Sequence, residues 1–598
     1  MIRFERHVPL VAATMALAAV AAHARPEGAA SRPAWVAKSD ANSRVLLDVL
    51  ARFSPESAGE YGLEAYDEQV LDMKPGVVAR SLDARRNARA ELQTRLDAET
   101  DPHVRQDLQI LVGSVEEDIE GLELSRKTEV FYLDLPRAVF EGLRGLLDEQ
   151  VAPARRRKAV LRLQRYAGMK GDPPIAMLVR ERIRESLADA SLIGPYKGEV
   201  EKALANGPRY VDGIRELFRQ FQVKGYEKGL RLLEEQLADY EGFVRKEVLP
   251  RARADFRLPP PVYAQALRRF GVTTPPEELA QTARIAFLEI QNEMRAIAPL
   301  VAREKGLSSS DYRDVIRELK KDQLQGEAIL PHYEARMRAL EEIIRRERIV
   351  TLPERPARIR LASEAESAAI PAPHMRSPRL IENTGERGEF VLPLSVPTAG
   401  SAGQAMTRFD DFTFEAASWT LTVHEGRPGH ELQWASLVEN GVSLARALFA
   451  FKSVNVEGWA LYMEAEMKPY LPLDGQLVSL QHRLLRAARA FVDPELQLGQ
   501  IEPEEAVKLL MGEVVVSEPM ARQEVERYMF RAPGQATSYF YGYRRWLQLR
   551  SEAALALGTR FDRQRYHDFL LAQGLLPPDL LADAVMKEFV PAEEARVH

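Results

Sequence analysis

The sequence predicts a mainly α-helical protein with a small β element ahead of a histidine motif. Between about residues 40 and 350, apolar residues recur at the spacings of three and four that mark one face of a helix. Residues 355–397 instead mix β-branched and apolar residues with proline, which is typical of short strands, and the helical pattern returns after residue 412. No repeat of about 20 to 50 residues is present, which argues against a solenoid. We therefore expect one large, mostly helical body over residues 25–598.

The composition is that of a folded globular protein of ordinary charge. Hydrophobic residues make up 45% of the chain and charged residues 28%. The 82 basic and 88 acidic residues are mixed along the chain and give a net charge of -6, so the sequence lacks the basic surface expected of a nucleic-acid-binding protein. The chain has no cysteine, which excludes disulfides and a lipid-modified cysteine.

The first 24 residues have the pattern of a secretory signal peptide. Arg3 and Arg6 precede an apolar run, and Ala22 and Ala24 supply the small residues that signal peptidase requires. The apolar run of about 14 residues is shorter than the roughly 20 that a spanning helix needs, so a permanent anchor is the weaker alternative. We expect cleavage after Ala24, a periplasmic or secreted product, and no stable membrane span after cleavage.

Two helices in the first half can be assigned from their apolar faces. One covers KGLRLLEEQLADYEGFVRKEV, whose apolar residues are Leu230, Leu233, Leu237, Tyr240, Val244 and Val248. The next is predicted to begin with a capping box, in which Thr274 is the N-cap, Pro275 the first helical residue and Glu277 the reciprocal partner. Its apolar face comprises Leu279, Ala283, Ala286, Ile290, Met294 and Ile297. Prolines at 250, 259, 260 and 261 predict a loop between the two helices.

The β element is predicted to contain two to four strands within residues 355–397. ARIRLASEAES and GEFVLPLSVP supply the strand residues, and TGERG at 384–388 supplies a turn. After residue 412 we expect helices interrupted at APGQ (532–535) and at LPPD (576–579).

The motif HEGRPGHELQ, residues 424–433, resembles a stretched form of the zinc helix H-E-x-x-H. Residues in a helix turn by about 100° each, so His424 and His430, six positions apart, would diverge by about 120° on an unbroken helix. Pro428 breaks a helical hydrogen bond, and Gly426 and Gly429 allow unusual backbone conformations, so we expect a bulge or kink that returns His430 to the side of His424. The alternative is a corner between two helices, with two solvated or packed imidazoles.

A third ligand is predicted in SVNVEGWALYMEAEM. Glu457 lies 27 residues beyond His430 in a segment that is otherwise apolar, where a carboxylate needs a partner such as a metal ion. Glu464, seven residues further on, falls on nearly the same helical face. It is a substitute ligand, an acceptor for an imidazole N–H, or a plain surface carboxylate.

These residues predict a hydrolytic zinc site. Zinc in hydrolases takes three histidine or carboxylate ligands and a water molecule, although the same ligands accept other divalent ions. Glu425 would be the general base that takes a proton from the zinc-bound water and returns it to the leaving amine. Donors for the oxyanion could come from ERYMFRAPGQATSYFYGY, which holds Arg527, Tyr528, Gln535, Tyr539, Tyr541 and Tyr543. That cluster, like His567, has an equally simple explanation as packing residues.

In their order along the chain, HEGRPGHELQ, EGWALYME, RYMFRAPGQATSY and FDRQRYHDFLLAQGLLPPDLL resemble the bacterial family known as domain of unknown function 885. RFSPESAGEYGLEAYDEQVLD near the N-terminus also looks like that family, so the resemblance covers nearly all of the chain after Ala24. It implies a zincin-like, oligopeptidase-like helical fold with His424, Glu425, His430 and Glu457 in the metal site. It further implies that Arg527, Gln535 and Tyr539 face the cleft, with Tyr539 steadying the oxyanion.

Two positions depart from the family pattern. Phe540 stands where members often have lysine, and Tyr543 where they often have glutamine, so a substrate preference does not transfer. The sequence thus predicts an exported Zn²⁺ peptidase acting on short peptides or peptide ends. The alternatives are a metal-dependent amidase for cell-wall peptides and a non-catalytic envelope binding or chaperone-like protein with a degenerate metal site.

Overall fold

The computed structural model describes residues 33–397 and 406–596, so the predicted signal peptide lies outside the described residues. Within these two ranges, no helix combines the length and the apolar character that a bilayer crossing requires.

Helices occupy most of residues 34–346, as the apolar spacing predicted. In chain order they are α1 (Ala34–Phe53), α2 (Pro55–Tyr61), α3 (Val77–Ala98), α4 (Pro102–Thr128), α5 (Leu135–Arg144), α6 (Pro153–Arg156), α7 (Lys158–Tyr166), α8 (Ile175–Leu187), α9 (Lys197–Gln220), α10 (Glu227–Phe243), α11 (Pro260–Phe270), α12 (Pro276–Lys305), α13 (Tyr312–Leu319) and α14 (Ile329–Arg346). All six apolar residues predicted for the α10 face are buried, and the last two lie in a π-helical turn, Val244–Val248, that continues the helix. The amphipathic face of α10 is therefore confirmed.

The predicted start of α12 is wrong in its detail. The helix begins at Pro276 rather than Pro275, and no side chain caps it, so the capping box at Thr274 and Glu277 does not form. Either proline suits the first helical position because neither has an N–H to satisfy, and the structure uses the second. Thr274 is then one residue too far from the helix to act as the cap. The proline cluster also begins a helix, α11, where only a loop was predicted.

The β element lies between α14 and the histidine motif, as predicted, but it extends beyond residue 397. Its members are β1 (Arg358–Leu361), α15 (Glu364–Ala369), β2 (His374–Arg376), β3 (Glu389–Leu392), β4 (Ser395–Pro397) and β5 (Met406–Arg408). β3 is the central strand of one sheet, parallel to β1 and antiparallel to β2, while β4 and β5 form an antiparallel pair. Four of the five strands in the described residues, β1 to β4, lie within residues 355–397, so the predicted two to four strands are confirmed there. β5 lies beyond the predicted range, because a three-residue strand is too short to show an alternating pattern.

The remaining helices carry the motifs. They are α16 (Glu415–Glu425), α17 (His430–Glu439), α18 (Ser453–Met467), α19 (Leu473–Gln497), α20 (Pro503–Leu509), α21 (Glu518–Glu526), α22 (Thr537–Leu557), α23 (Arg563–Ala572), α24 (Pro578–Ala584) and α25 (Val590–Glu594). The predicted break at 532–535 falls before α22 and is confirmed. The second break covers residues 573–577, so it overlaps the predicted 576–579 only in part, and Pro578 and Asp579 already begin α24. A π-helical turn, Arg527–Arg531, follows α21.

Two helix contacts position the motifs. The long helix α19 is buried on almost every side and packs along α12 and against α16 and α22. α18 packs closely on α22, and Gly542 allows this approach because it has no side chain. A Cβ at this position would lie 2.1 Å from the carbonyl oxygen of Val454. This close approach brings the EGWALYME segment against the segment that begins with Thr537.

Candidate metal centre

The histidine motif is a turn between two helices rather than a bulge within one. α16 ends at Glu425, and α17 begins at His430 after four non-helical residues that include a cis peptide bond between Arg427 and Pro428. The predicted bulge is therefore wrong, and the corner between two helices is what forms. The imidazoles nevertheless converge, with ring centroids 4.7 Å apart and planes at 80°. A break in the helix frees the second histidine from the angular spacing that one continuous helix would impose.

Buried polar contacts fix the turn. The Arg427 side chain is 1% exposed and donates to Glu431 at 2.6 Å and to Glu341 at 2.7 Å. The indole Nε1 of Trp459, from α18, donates to the carbonyl oxygens of Pro428 and Gly429 at 3.0 and 3.2 Å. The EGWALYME motif therefore holds the turn as well as supplying the predicted ligand.

Gly429 is required at its position by the space around it. A Cβ there would lie 2.1 Å from the carbonyl oxygen of His424 and 2.2 Å from that of Val423. Any side chain would push apart the end of α16 and the start of α17, and with them the two imidazoles.

His424, His430 and Glu457 bring their ligand atoms together. One ligand atom from each residue lies within 4.8 Å of the others. The Nε2 atoms of His424 and His430 lie 3.5 and 3.3 Å from Glu457 Oε2. In a tetrahedral zinc site with bonds of about 2.0–2.1 Å, neighbouring ligand atoms are about 3.3 Å apart. The donor set therefore fits a zinc ion in its chemistry, and the distances from both histidines to Glu457 match the spacing of zinc ligands.

Other contacts at these residues agree with that fit. Nδ1 of His424 lies 2.6 Å from Glu464 Oε1, so the N–H donates to the carboxylate and leaves Nε2 with a free lone pair. Glu457 Oε2 is buried and has no hydrogen-bond partner among the described residues. A buried carboxylate oxygen without a donor is costly unless a cation faces it. Of the three roles considered for Glu464, the structure favours acceptor for an imidazole N–H.

The two carboxylates on α18 are both strongly acidic. Burial alone would raise the pKa of Glu457, but the nearby His424 and His430 outweigh it and hold this pKa well below its usual value. Burial likewise opposes ionisation of Glu464, but Arg486 and the bond from His424 lower its pKa to about 2. Both groups are thus anionic at neutral pH, as a ligand and its supporting carboxylate should be.

Glu425 differs from Glu457 and Glu464 in that its pKa is raised rather than lowered. Its Oε1 lies 4.0 Å from Nε2 of His424, and its Oε2 is buried with no hydrogen-bond partner in the described ranges. Burial, with the charges of Glu457 and Glu464, raises the pKa of Glu425 to about 8, against the opposing effect of His430 and Arg486. A carboxyl group that holds a proton readily beside the ligand cluster is suited to taking and returning one.

The predicted oxyanion and substrate residues lie next to the cluster. The Tyr539 ring is parallel to that of His424, 6.3 Å away, and its hydroxyl accepts from Arg527 at 2.9 Å. Burial raises the pKa of Tyr539, so it stays a neutral hydroxyl. Gln535 does not line the cavity as the resemblance implied. It accepts from Arg527 and lies 3.5 Å from Glu457 Oε1, so it lies between the two.

A cavity of about 60 Å³ opens beside Glu425. Its walls include His424, Glu425, Arg527 and Tyr539, which were predicted, and three residues of α19, His482, Arg486 and Arg489, which were not. The signal for these three was present, because HRLLRAAR places one histidine and two arginines four and three residues apart on one helical face. They were missed because a charged helical stripe is usually solvent-exposed, whereas here it is buried.

The other aromatic candidates lie outside the cavity. Tyr528 donates to Glu524 at 2.5 Å, Tyr541 bonds to Thr273 at 2.9 Å, and Tyr543 accepts from Arg483. His567 is fully buried, with Nε2 2.6 Å from the Tyr462 hydroxyl and Nδ1 2.7 Å from the carbonyl oxygen of Ile349. These residues therefore form packing and hydrogen-bond contacts outside the cavity, as expected if they are packing residues.

The fold and the site define a class: a mainly helical protein whose buried two-histidine, one-carboxylate cluster lies beside a glutamate. The chain belongs to the family described as "Bacterial protein of unknown function (DUF885)", whose model matches residues 55–585. This match confirms the family resemblance.

Two solved structures share the fold. A "putative lipoprotein" from Colwellia psychrerythraea has a TM-score of 0.72, and a "putative lipoprotein of unknown function" from Shewanella oneidensis has one of 0.69. Each is 19% identical, and each match covers 93% of this chain and 100% of the other. The comparison with curated proteins found no match.

Proposed function

We propose that this protein is an exported zinc-dependent peptidase that hydrolyses peptide bonds of short peptides or peptide ends. The observation that carries the proposal is the convergence of His424, His430 and Glu457 on one point, with Glu425 beside it. A purely structural metal site would not need the adjacent glutamate. Export is supported by the pattern of residues 1–24.

His424, His430 and Glu457 would hold the ion. A zinc ion in such a site polarises a peptide carbonyl and makes a water molecule more acidic. Glu464 would keep His424 in the tautomer that presents Nε2, since its carboxylate accepts the Nδ1 proton. Glu425 would accept a proton from the attacking water at a carboxylate oxygen and deliver it to the leaving amine.

Tyr539 would donate its hydroxyl hydrogen to the oxyanion that forms at the scissile carbonyl. The hydroxyl is held by Arg527, whose guanidinium donates to the phenol oxygen and so leaves the phenol hydrogen free to point at substrate. Gln535 would support this arrangement by joining Arg527 to the Glu457 side of the site.

The test measures zinc and cleavage in the same samples. Bound zinc is quantified by mass spectrometry in the purified wild type and in Glu425→Gln, and both are incubated with a mixed peptide library that includes cell-wall peptides. We expect both proteins to hold zinc, and Glu425→Gln to lose about 10²–10⁴-fold in cleavage rate, the usual contribution of a general base. Glu439→Gln, at an exposed glutamate of α17 that pairs with Arg355, is the matched control and should cleave normally.

The outcomes separate the alternatives. A wild type that binds no zinc and cleaves no peptide would contradict the proposal. A wild type that binds zinc but cleaves no peptide would favour a binding protein. Selective cleavage of the cell-wall peptides would favour the amidase. Equal activity in Glu425→Gln would remove that residue from the mechanism. Alanine at His424, His430 or Glu457 should sharply lower zinc affinity, whereas His103→Ala, at a histidine stacked on Trp35, should not.

A further inference from the structure

The cavity beside the metal centre has an arginine that the proposed mechanism does not use. Arg486 extends from α19, is 6% exposed and lines the cavity together with Glu425 and Tyr539. Its Nε has no hydrogen-bond partner among the described residues. Its other contacts are weak, with Nη1 3.3 Å from the carbonyl oxygen of His482 and Nη2 3.6 Å from Glu464. A buried guanidinium usually has its donors paired, because an unpaired buried charge is costly.

The neighbouring arginines are better paired. Arg489 makes a two-point contact with Glu524, at 2.7 and 2.6 Å. Arg527 donates to the neutral side chains of Gln535 and Tyr539 and lies 3.8 Å from Glu524.

The charges on this wall do not balance. Three guanidiniums, those of Arg486, Arg489 and Arg527, face two carboxylates, those of Glu464 and Glu524, which leaves one positive charge. Asp411 also lines the cavity, but its carboxylate accepts from Ser517 and from Lys320 at 2.6 Å, and Lys320 also pairs with the solvent-exposed Asp410 at 3.1 Å. At the metal centre, the single negative charge of Glu457 would face the two positive charges of a divalent ion, so this carboxylate does not offset the excess.

We propose that Arg486 binds a carboxylate of the peptide substrate and so places the scissile bond at the metal centre. The inference rests on the proposed function. A guanidinium offers parallel N–H donors that match the two oxygens of a carboxylate. The cavity of 60 Å³ has room for roughly four water molecules, and thus for a group of this size. The carboxylate is either the C-terminus of the peptide or an acidic side chain, which share one chemistry.

The experiment compares three matched probes: N-acetyl-Ala-Ala-Ala as the free acid, the same peptide as its C-terminal amide, and N-acetyl-Ala-Ala-Glu amide. Binding to the full chain is measured by titration calorimetry in a Glu425→Gln background, with and without zinc. At least one carboxylate probe should bind about tenfold more tightly than the neutral amide, since a hydrogen bond to a charged group is worth that much. The probe with the advantage identifies the source of the carboxylate.

Arg486→Gln should abolish this preference in both zinc states. The matched control is Arg483→Gln, one turn earlier on α19, where the arginine pairs with Glu293 and does not line this cavity. It should leave the preference unchanged. Zinc content and thermal unfolding are followed in every variant. If Arg486→Gln does not fold, Arg486→Lys should retain a reduced preference, and the ratio between probes in the parent protein remains decisive.

Equal binding of all three probes by the parent would overturn the inference, as would a preference that survives Arg486→Gln. The two proposals fail differently. A carboxylate preference without cleavage of any peptide counts against the peptidase only, and cleavage with equal kcat/KM for the free acid and both amides counts against Arg486 only.

Discussion

At the scale of single residues, the environment of His424 decides what the site can do. Its Nδ1 proton is taken by Glu464, 2.6 Å away, and its Nε2 is directed to Glu457, 3.5 Å away. The acceptor carboxylate is also 3.6 Å from Arg486, which keeps it ionised. A carboxylate behind a histidine ligand fixes the tautomer and raises the basicity of the coordinating nitrogen.

Glu464→Gln tests this arrangement, because glutamine keeps the size of the side chain and an acceptor oxygen but loses the charge. We expect zinc affinity to fall about 10- to 100-fold, which is the usual effect of removing a group that accepts the N–H of a metal-binding histidine. Competition with a zinc-sensitive dye measures the affinity. Glu466→Gln, two residues further along α18 where the carboxylate pairs with Arg550, is the control. Unchanged affinity in Glu464→Gln would show that the contact does not support metal binding.

At the scale of elements, the turn between α16 and α17 is what brings the two histidines together. Arg427 anchors it from within through Glu431 and Glu341, and Trp459 anchors it from α18 through the backbone of Pro428 and Gly429. The turn and the helix that carries Glu457 are therefore one structural unit, so a change in the turn should disturb all three ligands.

Gly429→Ala should damage this unit. The added Cβ would lie 2.1 Å from the His424 carbonyl oxygen, and forced overpacking of this kind costs about 1–3 kcal/mol of stability. We expect a lower unfolding midpoint in urea together with loss of tight zinc binding. The control is Gly113→Ala in α4, where nothing lies within 4 Å of the added Cβ and alanine should stabilise the helix by roughly 0.5–1 kcal/mol. Wild-type zinc affinity in Gly429→Ala would show that the turn tolerates a side chain.

At the scale of the whole molecule, distant segments meet at α18, the helix that carries Glu457. His567 of α23 contacts Tyr462 of α18 and the backbone of Ile349 just after α14, so it ties three parts of the chain together. Nδ1–H donates to the carbonyl, and Nε2 accepts from the phenol, which satisfies a neutral imidazole. Burial lowers the pKa of His567 to about 3, in spite of the contact with Ile349.

His567→Gln should show, through the pH dependence of stability, that His567 is neutral in the folded protein. At pH 7 the variant should be about 1–3 kcal/mol less stable, because it leaves buried groups unsatisfied. The unfolded histidine binds a proton below its ordinary pKa of about 6.5, whereas the folded one does not until about pH 3. The wild type therefore loses stability as the pH falls through this window, and its advantage over the variant should shrink by about 2 kcal/mol between pH 7 and pH 5.

Urea unfolding of both proteins at the two pH values gives this difference directly. Comparing the variant with the wild type cancels the contributions of other titrating groups, such as Asp493, whose pKa burial raises to about 7. A difference that stays constant between pH 7 and pH 5 would show that His567 is not held neutral in the folded protein.

The sequence by itself determined the helical class, the place of the β element and the residues that converge at the candidate metal centre. These follow from local features: the apolar spacing of α10, the mixture of residues in 355–397, and a histidine pair with Glu425 inside an uncommon turn motif. The start of α12 could not be decided locally, because Pro275 and Pro276 are equally suited to the first helical position.

Only the tertiary structure decided how the site is built. The sequence could not show that the helix breaks completely after Glu425, because the contacts that hold the turn come from Glu341 and Trp459, far away along the chain. The spacing in HRLLRAAR places Arg486 on one helical face with His482 and Arg489, but it could not show that this face is buried, since an arginine on a helix is usually exposed. Burial of α19 between α12, α16 and α22 turns that arginine into a charged group in the wall of the site. Local propensity depends on residues that are neighbours in the sequence, whereas burial and charge pairing depend on segments that meet only after folding.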